Sequence, residues 1–304
     1  MEVKGAMKTT LYFLFQFLKM SKISSALLSA ALSISGIAMA EAIKPNFASA
    51  QACSTFPRTN ITAFRDGGGF CEGTPSVYGI KVFKMGFCTS NPFTTAGVAV
   101  DYSSCTISFE DSSGYDTSFA AGSTVALPAG SSSLPAVGSY DYAVIELDKT
   151  FDIAAEIAFD DGTTYYSTSS WTTGGSPGQT TGSAETFPAE MASFNPNTTC
   201  QAISDPVIQD AATLKGYLIN SSSELIADDT GVTNCSGVSK IVGVAQLNTA
   251  VTITSSTTGL IADFTVSDNG SSVFCSETGG GSVGGCRNIM FDSGPFKVEF
   301  TVVE

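Results

Sequence analysis

Ser139-Tyr-Asp-Tyr-Ala-Val-Ile-Glu-Leu-Asp-Lys-Thr-Phe151-Asp-Ile-Ala-Ala-Glu-Ile-Ala-Phe159-Asp-Asp-Gly-Thr-Thr-Tyr-Tyr-Ser167 is the stretch that decides the fold. From Phe151 to Phe159 every second residue is apolar: Phe151, Ile153, Ala155, Ile157 and Phe159. A period of two marks a strand with one buried and one wetter face. Asp161-Gly162 supplies two residues that tolerate positive φ, which predicts a tight type I′ turn. Tyr165 and Tyr166 then start the returning strand of an antiparallel sheet.

The same period recurs on both sides. Ser76 to Cys88 reads as a strong strand whose pattern changes phase: Tyr78, Ile80 and Val82 share one parity, Phe83, Met85 and Phe87 the other. A bulge near Val82-Phe83 would bring both sets to one side. The alternative is a strand buried on both faces, with Lys81 and Lys84 reaching out along their stems. Ser104–Phe109 is expected to return as a strand, followed by a polar stretch from Glu110 to Thr117 and a short strand at 123–127. Thr172 to Ala184, rich in Gly, Thr and Ser, reads as an exposed loop or linker. Asp205-Pro206 predicts one short helix to Leu214. Further strands are expected at 215–219, 224–227, 240–247, 250–254, 260–266 and 272–275, and the chain ends on the alternation Phe296, Val298, Phe300, Val302. The fold class is therefore all-β, an antiparallel β-sandwich or sandwiches with disulfide-stapled hairpins. Residues 51–190 are expected to form one β-sandwich domain. Residues 191–304 form a second β region, either a separate domain or the completion of the same sandwich.

The beginning of the chain reads differently. Met20-Ser-Lys22 is followed by an apolar, small-residue run from Ile23 to Ile37 and by Ala38-Met39-Ala40, an A-x-A cleavage site. Residues 1–40 are expected to be a signal peptide, with Ala48-Ser49-Ala50 as a later cleavage site. The apolar run is short for a stable membrane span, so the mature chain is expected to have none. Export sets the redox context for the cysteines. All eight follow the leader: Cys53, Cys71, Cys88, Cys105, Cys200, Cys235, Cys275 and Cys286. An even count in an exported chain reads as disulfides, and the pairing expected is between nearest neighbours. The location expected is secreted, periplasmic or cell-surface.

Two sequence blocks add a resemblance. Cys71-Glu-Gly-Thr-Pro-Ser-Val-Tyr-Gly-Ile-Lys-Val-Phe-Lys-Met-Gly-Phe-Cys88 and Leu134-Pro-Ala-Val-Gly-Ser-Tyr-Asp-Tyr-Ala-Val-Ile-Glu-Leu-Asp-Lys-Thr-Phe151 resemble secreted bacterial β-sandwich domains of the transthyretin-like, or prealbumin-like, kind. In that family a strand ending near a polar loop is followed by a Pro- and Gly-containing lead-in to a long strand that opens on Tyr. The resemblance spans about a third of the chain and leaves the cysteine pattern and the second half outside it. It implies a sandwich and an extracellular or envelope setting, and carries over no catalytic residues.

Composition excludes several functions. The chain is 304 residues long with a net charge of −14, and the part after residue 50 is more acidic still, because five of the 14 Lys and Arg lie before it. An acidic body is repelled by phosphates and anionic membranes, so nucleic-acid binding is rejected. There is no histidine, so neither a Ser-His-Asp nor a Cys-His set nor a histidine-bound zinc can be built. No phosphate loop is present. Paired carboxylates remain, with Glu110-Asp111, Asp160-Asp161 and Asp228-Asp229 as candidates, although adjacent side chains on a strand point to opposite faces. No cofactor is expected. Calcium stays open without assigned ligands, since no segment repeats the spaced acids of a dedicated loop. Trp171, Tyr165 and Tyr166 are the candidates for stacking on a sugar ring. The reading reached is a non-enzymatic structural or adhesive β protein whose partner is another copy of itself, joined through the C-terminal strand into an oligomer or filament. The alternative is an extracellular carbohydrate-binding module or carboxylate-dependent glycan hydrolase, with a glycan or cell surface as partner.

Overall fold

Gly138–Ala158 forms one strand of 21 residues, the longest among the described residues. The computed structural model describes residues 52–53, 70–93, 95–119, 133–159, 162–171, 175–194, 199–204, 207–208, 211–267, 270–275, 289–294 and 297–304. The leader, the 123–127 strand, Asp160-Asp161 and Cys286 lie outside them. In chain order the strands are β1 (Phe70–Gly73), β2 (Pro75–Cys88), β3 (Cys105–Phe119), β4 (Gly138–Ala158), β5 (Thr164–Ser167), β6 (Ser176–Gln179), β7 (Phe187–Glu190), β8 (Thr199–Cys200), β9 (Val207–Ile208), β10 (Ala212–Ile219), β11 (Asp229–Thr230), β12 (Lys240–Ile253), β13 (Gly259–Thr265), β14 (Ser271–Cys275), β15 (Ile289–Ser293) and β16 (Lys297–Val303). All strand pairings are antiparallel, and no α-helix occurs among the described residues. The class is all-β with disulfides, as the sequence leads one to expect.

One sheet runs β1-β14-β15-β6-β5-β4-β12-β10-β9, with β2 and β7 also on β4 and β3 beyond β2. Pairs β8–β11 and β13–β16 form separate two-stranded sheets. The strands on either side of residue 190 thus share one sheet, because β12 pairs with β4 from Lys240↔Asp148 to Ile253↔Gly138.

The alternation in β4 is realised. Leu147, Phe151, Ile153, Ala155, Ile157 and Phe159 are buried, while Asp152 and Glu156 are exposed. They join Tyr78, Ile80, Val82, Phe187, Phe194, Leu218, Ile241, Val273 and Phe291 in the main core. Each such side chain contributes about 1.5–3 kcal/mol by leaving water. The opposite face carries a second cluster, with Val144, Val242, Val244, Tyr217, Ile219 and Phe93, whose ring stacks on Tyr217 at 3.9 Å.

The phase change in β2 is a bulge. The register shifts between Val82 and Lys84 against both β3 and β4, which leaves Phe83 unpaired. Disulfides join Cys53 to Cys71, Cys88 to Cys105 and Cys200 to Cys235, closing sequence separations of 18, 17 and 35 residues. Each contributes about 2–4 kcal/mol, mainly by restricting the unfolded chain.

Several local expectations are corrected. The Asp161-Gly162 turn is not a two-residue type I′ turn. Phe159 and Thr163 close the hairpin: Phe159 N–H donates to Thr163 O and Gly162 N–H to Phe159 O, with Gly162 at φ +79°. The hairpin is thus closed one residue further out than a two-residue turn, with a left-handed glycine before the returning strand. The helix expected to Leu214 is β9 and the start of β10. The periodicity of Ala212, Leu214 and Gly216 is that of a strand, and Thr213 and Leu214 pair with Ile208 and Val207. The polar stretch 110–117 continues β3, because β2 offers it a ladder regardless of its side chains. Lys240–Leu247 and Ala250–Thr254 are one strand with a register shift between Gln246 and Val251. Residues 224–227 form isolated bridges rather than a strand. The loop or linker expected over 172–184 contains β6, which lies between β5 and β15 in the sheet.

Gly216 shows how tight this packing is. A Cβ there would lie 2.5 Å from the ring of Phe194, which is fully buried. The backbone cannot retreat, since Ser204 N–H donates to Gly216 O and Gly216 N–H donates to Ser204 Oγ at 2.7 Å. Gly216→Ala is expected to destabilise the protein by about 1–3 kcal/mol in urea unfolding, and adding Phe194→Leu should recover part of the loss.

Candidate functional site

The acids adjacent in sequence do not assemble into a site. Glu110, in β3, is exposed and pairs with Lys84 Nζ at 2.9 Å. Asp111 accepts from Ser113 N–H and Oγ–H at 2.9 and 2.6 Å, and these bonds hold its carboxyl below the usual range. Asp228 accepts from Ala202 N–H at 2.7 Å, and Asp229 is exposed in β11. Trp171 is half-buried, with its ring stacked on Phe187 at 6.0 Å and 7°. One face is thus spent on the core. Tyr165 meets Phe159 edge-on at 5.8 Å, and Tyr166 is half-buried opposite Glu156.

The structure assembles two other acid clusters instead. On the face of β4 away from the main core, Glu146 is only 4% exposed. It accepts from Lys240 Nζ on one oxygen and from Tyr102 Oη–H at 3.0 Å on the other. Lys84 Nζ lies 4.4 Å from the centre of the Tyr102 ring, and Lys240 Nζ lies 4.0 Å from that of Phe83. Burial first, and then the neighbouring Glu146 carboxylate, push the Tyr102 phenol far up. Both Glu146 oxygens are satisfied, so the cluster is closed: it holds the 89–104 connection down on the sheet. A lone Glu inside the run Ala143-Val-Ile-Glu146-Leu147 was the sequence signal for it.

The second cluster is a row. Glu72, Ser272 and Asp292 are successive register partners across β1, β14 and β15, so they occupy one face of the sheet. Cys71, Val273 and Phe291, one position away, face the main core. Glu72 is 5% exposed, and burial pushes its carboxyl up to about 8. Burial also raises Asp292 to about 7, against the opposing bond it accepts from Ser293 N–H at 2.7 Å. At neutral pH Glu72 is therefore mostly protonated and Asp292 is near its midpoint. Residues so far apart in sequence come together only through the sheet order, which no local pattern encodes.

The last described feature is the β13–β16 ribbon, seven register pairs from Gly259↔Val303 to Thr265↔Lys297. Leu260, Ala262, Phe300 and Val302 turn toward the body, and Phe300 meets Phe87 edge-on at 4.9 Å. Ile261, Thr301 and Val303, of opposite parity, turn outward; Thr301 and Val303 are exposed and Ile261 is half-buried. Glu304 accepts from the Ser256 hydroxyl and pins the end of the ribbon.

No family profile, curated protein or solved structure matches the chain. Among the described residues no helix is long and apolar enough to cross a membrane, and no group of three or more Cys, Asp or Glu is arranged to hold a metal ion.

The raised acids give a pH dependence of definite sign. In the unfolded chain Glu72 and Asp292 ionise near their ordinary values of 4.5 and 3.8; in the fold they keep their protons to about 8 and 7. Their contribution to stability is complete below the unfolded values and is lost as pH rises through 7 and 8. Urea midpoints are expected to fall between pH 5 and 9, and Glu72→Gln should flatten much of that slope.

Proposed function

We propose that this chain is an exported, non-enzymatic structural or adhesive β protein whose copies associate edge to edge through the β13–β16 ribbon. The observation that carries this reading is the ribbon itself. It is a two-stranded sheet, not a continuation of the large one, and its described contacts with the body come from one face, Leu260, Ala262, Phe300 and Val302. Two strands alone are marginal in water, and an unpaired edge is a ready template for another chain. A second copy supplies the same edge, so a two-fold arrangement closes a dimer and a head-to-tail one extends into a filament. The exposed apolar residues Val303, Val137 and Leu134 add surface for such a contact. Val137 immediately precedes Gly138, which pairs with Ile253 shortly before β13 begins.

Other features support the setting. Three disulfides fit an oxidising compartment outside the cytosol. The A-x-A leader supplies a route there. The engagement of Asp111, Glu110 and Glu146 with local partners weighs against a carboxylate hydrolase. Trp171, stacked on Phe187, serves the core rather than a sugar.

Ile261 and Thr301 are direct register partners on the outward face of the ribbon. Ile261→Lys with Thr301→Lys places two like charges there without touching Phe300. In light scattering on the purified mature protein, the wild type is expected to run as an oligomer and the double variant as a monomer with an unchanged far-ultraviolet spectrum. A wild type that is monomeric at every concentration, or a variant with unchanged oligomer mass, overturns the reading. On a glycan array, neither wild type nor Trp171→Ala is expected to bind, while Trp171→Ala should lower stability by about 1–3 kcal/mol.

A further inference from the structure

The sequence holds five Asn-x-Ser/Thr triplets with a residue other than proline in the middle: Asn60-Ile-Thr62, Asn197-Thr-Thr199, Asn220-Ser-Ser222, Asn234-Cys-Ser236 and Asn269-Gly-Ser271. In an exported chain such a triplet is an acceptor for N-linked oligosaccharide when it lies on an accessible loop. Asn60, Asn197 and Asn269 are outside the described residues. The other two can be compared directly, and their surroundings are opposite.

Asn220 is half-buried after β10, and both polar atoms of its side-chain amide are engaged. Its Nδ2 donates to Glu224 Oε2 at 2.9 Å, while its Oδ1 accepts from Ser222 N–H at 2.9 Å and from Glu224 N–H at 3.0 Å. The carboxamide is the hub of the turn that returns the chain from β10. Substitution on Nδ2 would cost the bond to Glu224 and crowd a half-buried position. Asn234 lies in the connection between β11 and β12. Every residue from Gly231 to Gly237 is exposed except Cys235. Asn234 makes no side-chain hydrogen bond among the described residues, and Ser236, the third member of the triplet, is exposed beside it. Cys235 fixes the loop from beneath, through its disulfide to Cys200 and its N–H bond to Ala192 O at 2.8 Å. The buried side chain between them leaves Asn234 and Ser236 on the outside.

We infer that Asn234 carries an N-linked oligosaccharide and that Asn220 does not. The inference rests on the export of the chain and is independent of its self-association. The donor class is a lipid-linked oligosaccharide pyrophosphate. Asn234 Nδ2 forms a bond to the anomeric carbon, the bond from that carbon to the pyrophosphate oxygen breaks, one Nδ2 proton passes to a base of the transferase, and the lipid pyrophosphate leaves. No electrons are exchanged with a further reagent.

The test is glycopeptide mapping of the full chain, recovered from the medium of a secretory host that performs N-glycosylation. Enzymatic release of the glycan converts an occupied asparagine to aspartate and so marks the site. Aspartate is expected at position 234 and asparagine at position 220. Ser236→Ala and Ser222→Ala each remove one triplet while keeping the asparagine. Ser236→Ala is expected to lose one glycan in the intact mass, and Ser222→Ala none. An unmodified Asn234 in the secreted wild type, or occupancy of Asn220 equal to that of Asn234, overturns the inference; the wild-type map is decisive even if a variant folds poorly.

Discussion

A strand of 21 residues has backbone donors and acceptors to satisfy along both edges, and in β4 that requirement organises the fold. Its first half lies between β12 and β2, and its second half between β2 on one side and β7 and β5 on the other. The exchange of neighbours happens at one place. Asp148 is the last residue paired to β12, Thr150 is the first paired to β7, and Lys149 between them pairs its ammonium with Glu190. Asp148 Oδ1 accepts from Thr150 N–H at 2.9 Å, so a side chain bridges the handover. A buried, unpaired peptide group costs free energy comparable to a lost hydrogen bond, so a strand this long persists only because partners arrive from both halves of the sequence. That is why residues near 150 and near 245 belong to one sheet.

The second dependence is on small polar residues. Ser167 and Ser176 are completely buried and serve as hydrogen-bond relays between strands. Ala155 N–H donates to Ser167 Oγ, which donates to Glu185 O; Thr168 N–H donates to Ser176 Oγ, which donates to Thr168 O. Gly178 lies where a Cβ would come within 2.9 Å of the Phe291 ring. Composition alone makes 172–184 look like a linker, because the residues that permit close strand approach are also those that fill exposed loops. The large apolar residues were legible by their period: the alternation at 151–159 and the phase change at 83 both follow from side-chain parity, which is local. Neighbours in the sheet are not local. The polar segment 110–117 becomes a strand because β2 provides a ladder, and the placement of β6 depends on β15, more than a hundred residues away.

The same division governs the acids. Pairs adjacent in sequence attract notice, yet adjacency on a strand or turn leads to solvent: Glu110 and Asp229 are exposed, and Asp111 bonds its own turn. The acids with unusual environments, Glu146, Glu72 and Asp292, are single carboxyls inside apolar strands. Two different solutions to burial are seen. Glu146 receives an ammonium and a phenol; in the Glu72 and Asp292 row burial raises both carboxyls instead. A buried ion pair is weak evidence of stabilisation against an apolar replacement, but removing one partner of it is costly. The Glu146 cluster is therefore best understood as fixing which connection covers this face of the sheet.

Edges decide how such a molecule meets its neighbours. Among the described strands β3 pairs with β2 alone, and its outer side is guarded. It bears Glu110 and Asp116, paired to Lys84 and Lys81, and between Tyr115 and Glu110 the residues 111–114 bulge out opposite Phe83 alone, with Gly114 at φ +77°. Charges and bulges are how sheets avoid edge-to-edge pairing. On the ribbon of β13 and β16, the register gives Asp263, Glu299 and Lys297 the same parity as Ile261, Thr301 and Val303, so charged and apolar positions alternate along its outward face. The body-facing residues of that ribbon, Phe300 and Val302, set its orientation on the core. A rigidly held edge loses little conformational freedom on pairing, which favours a defined contact over indiscriminate aggregation.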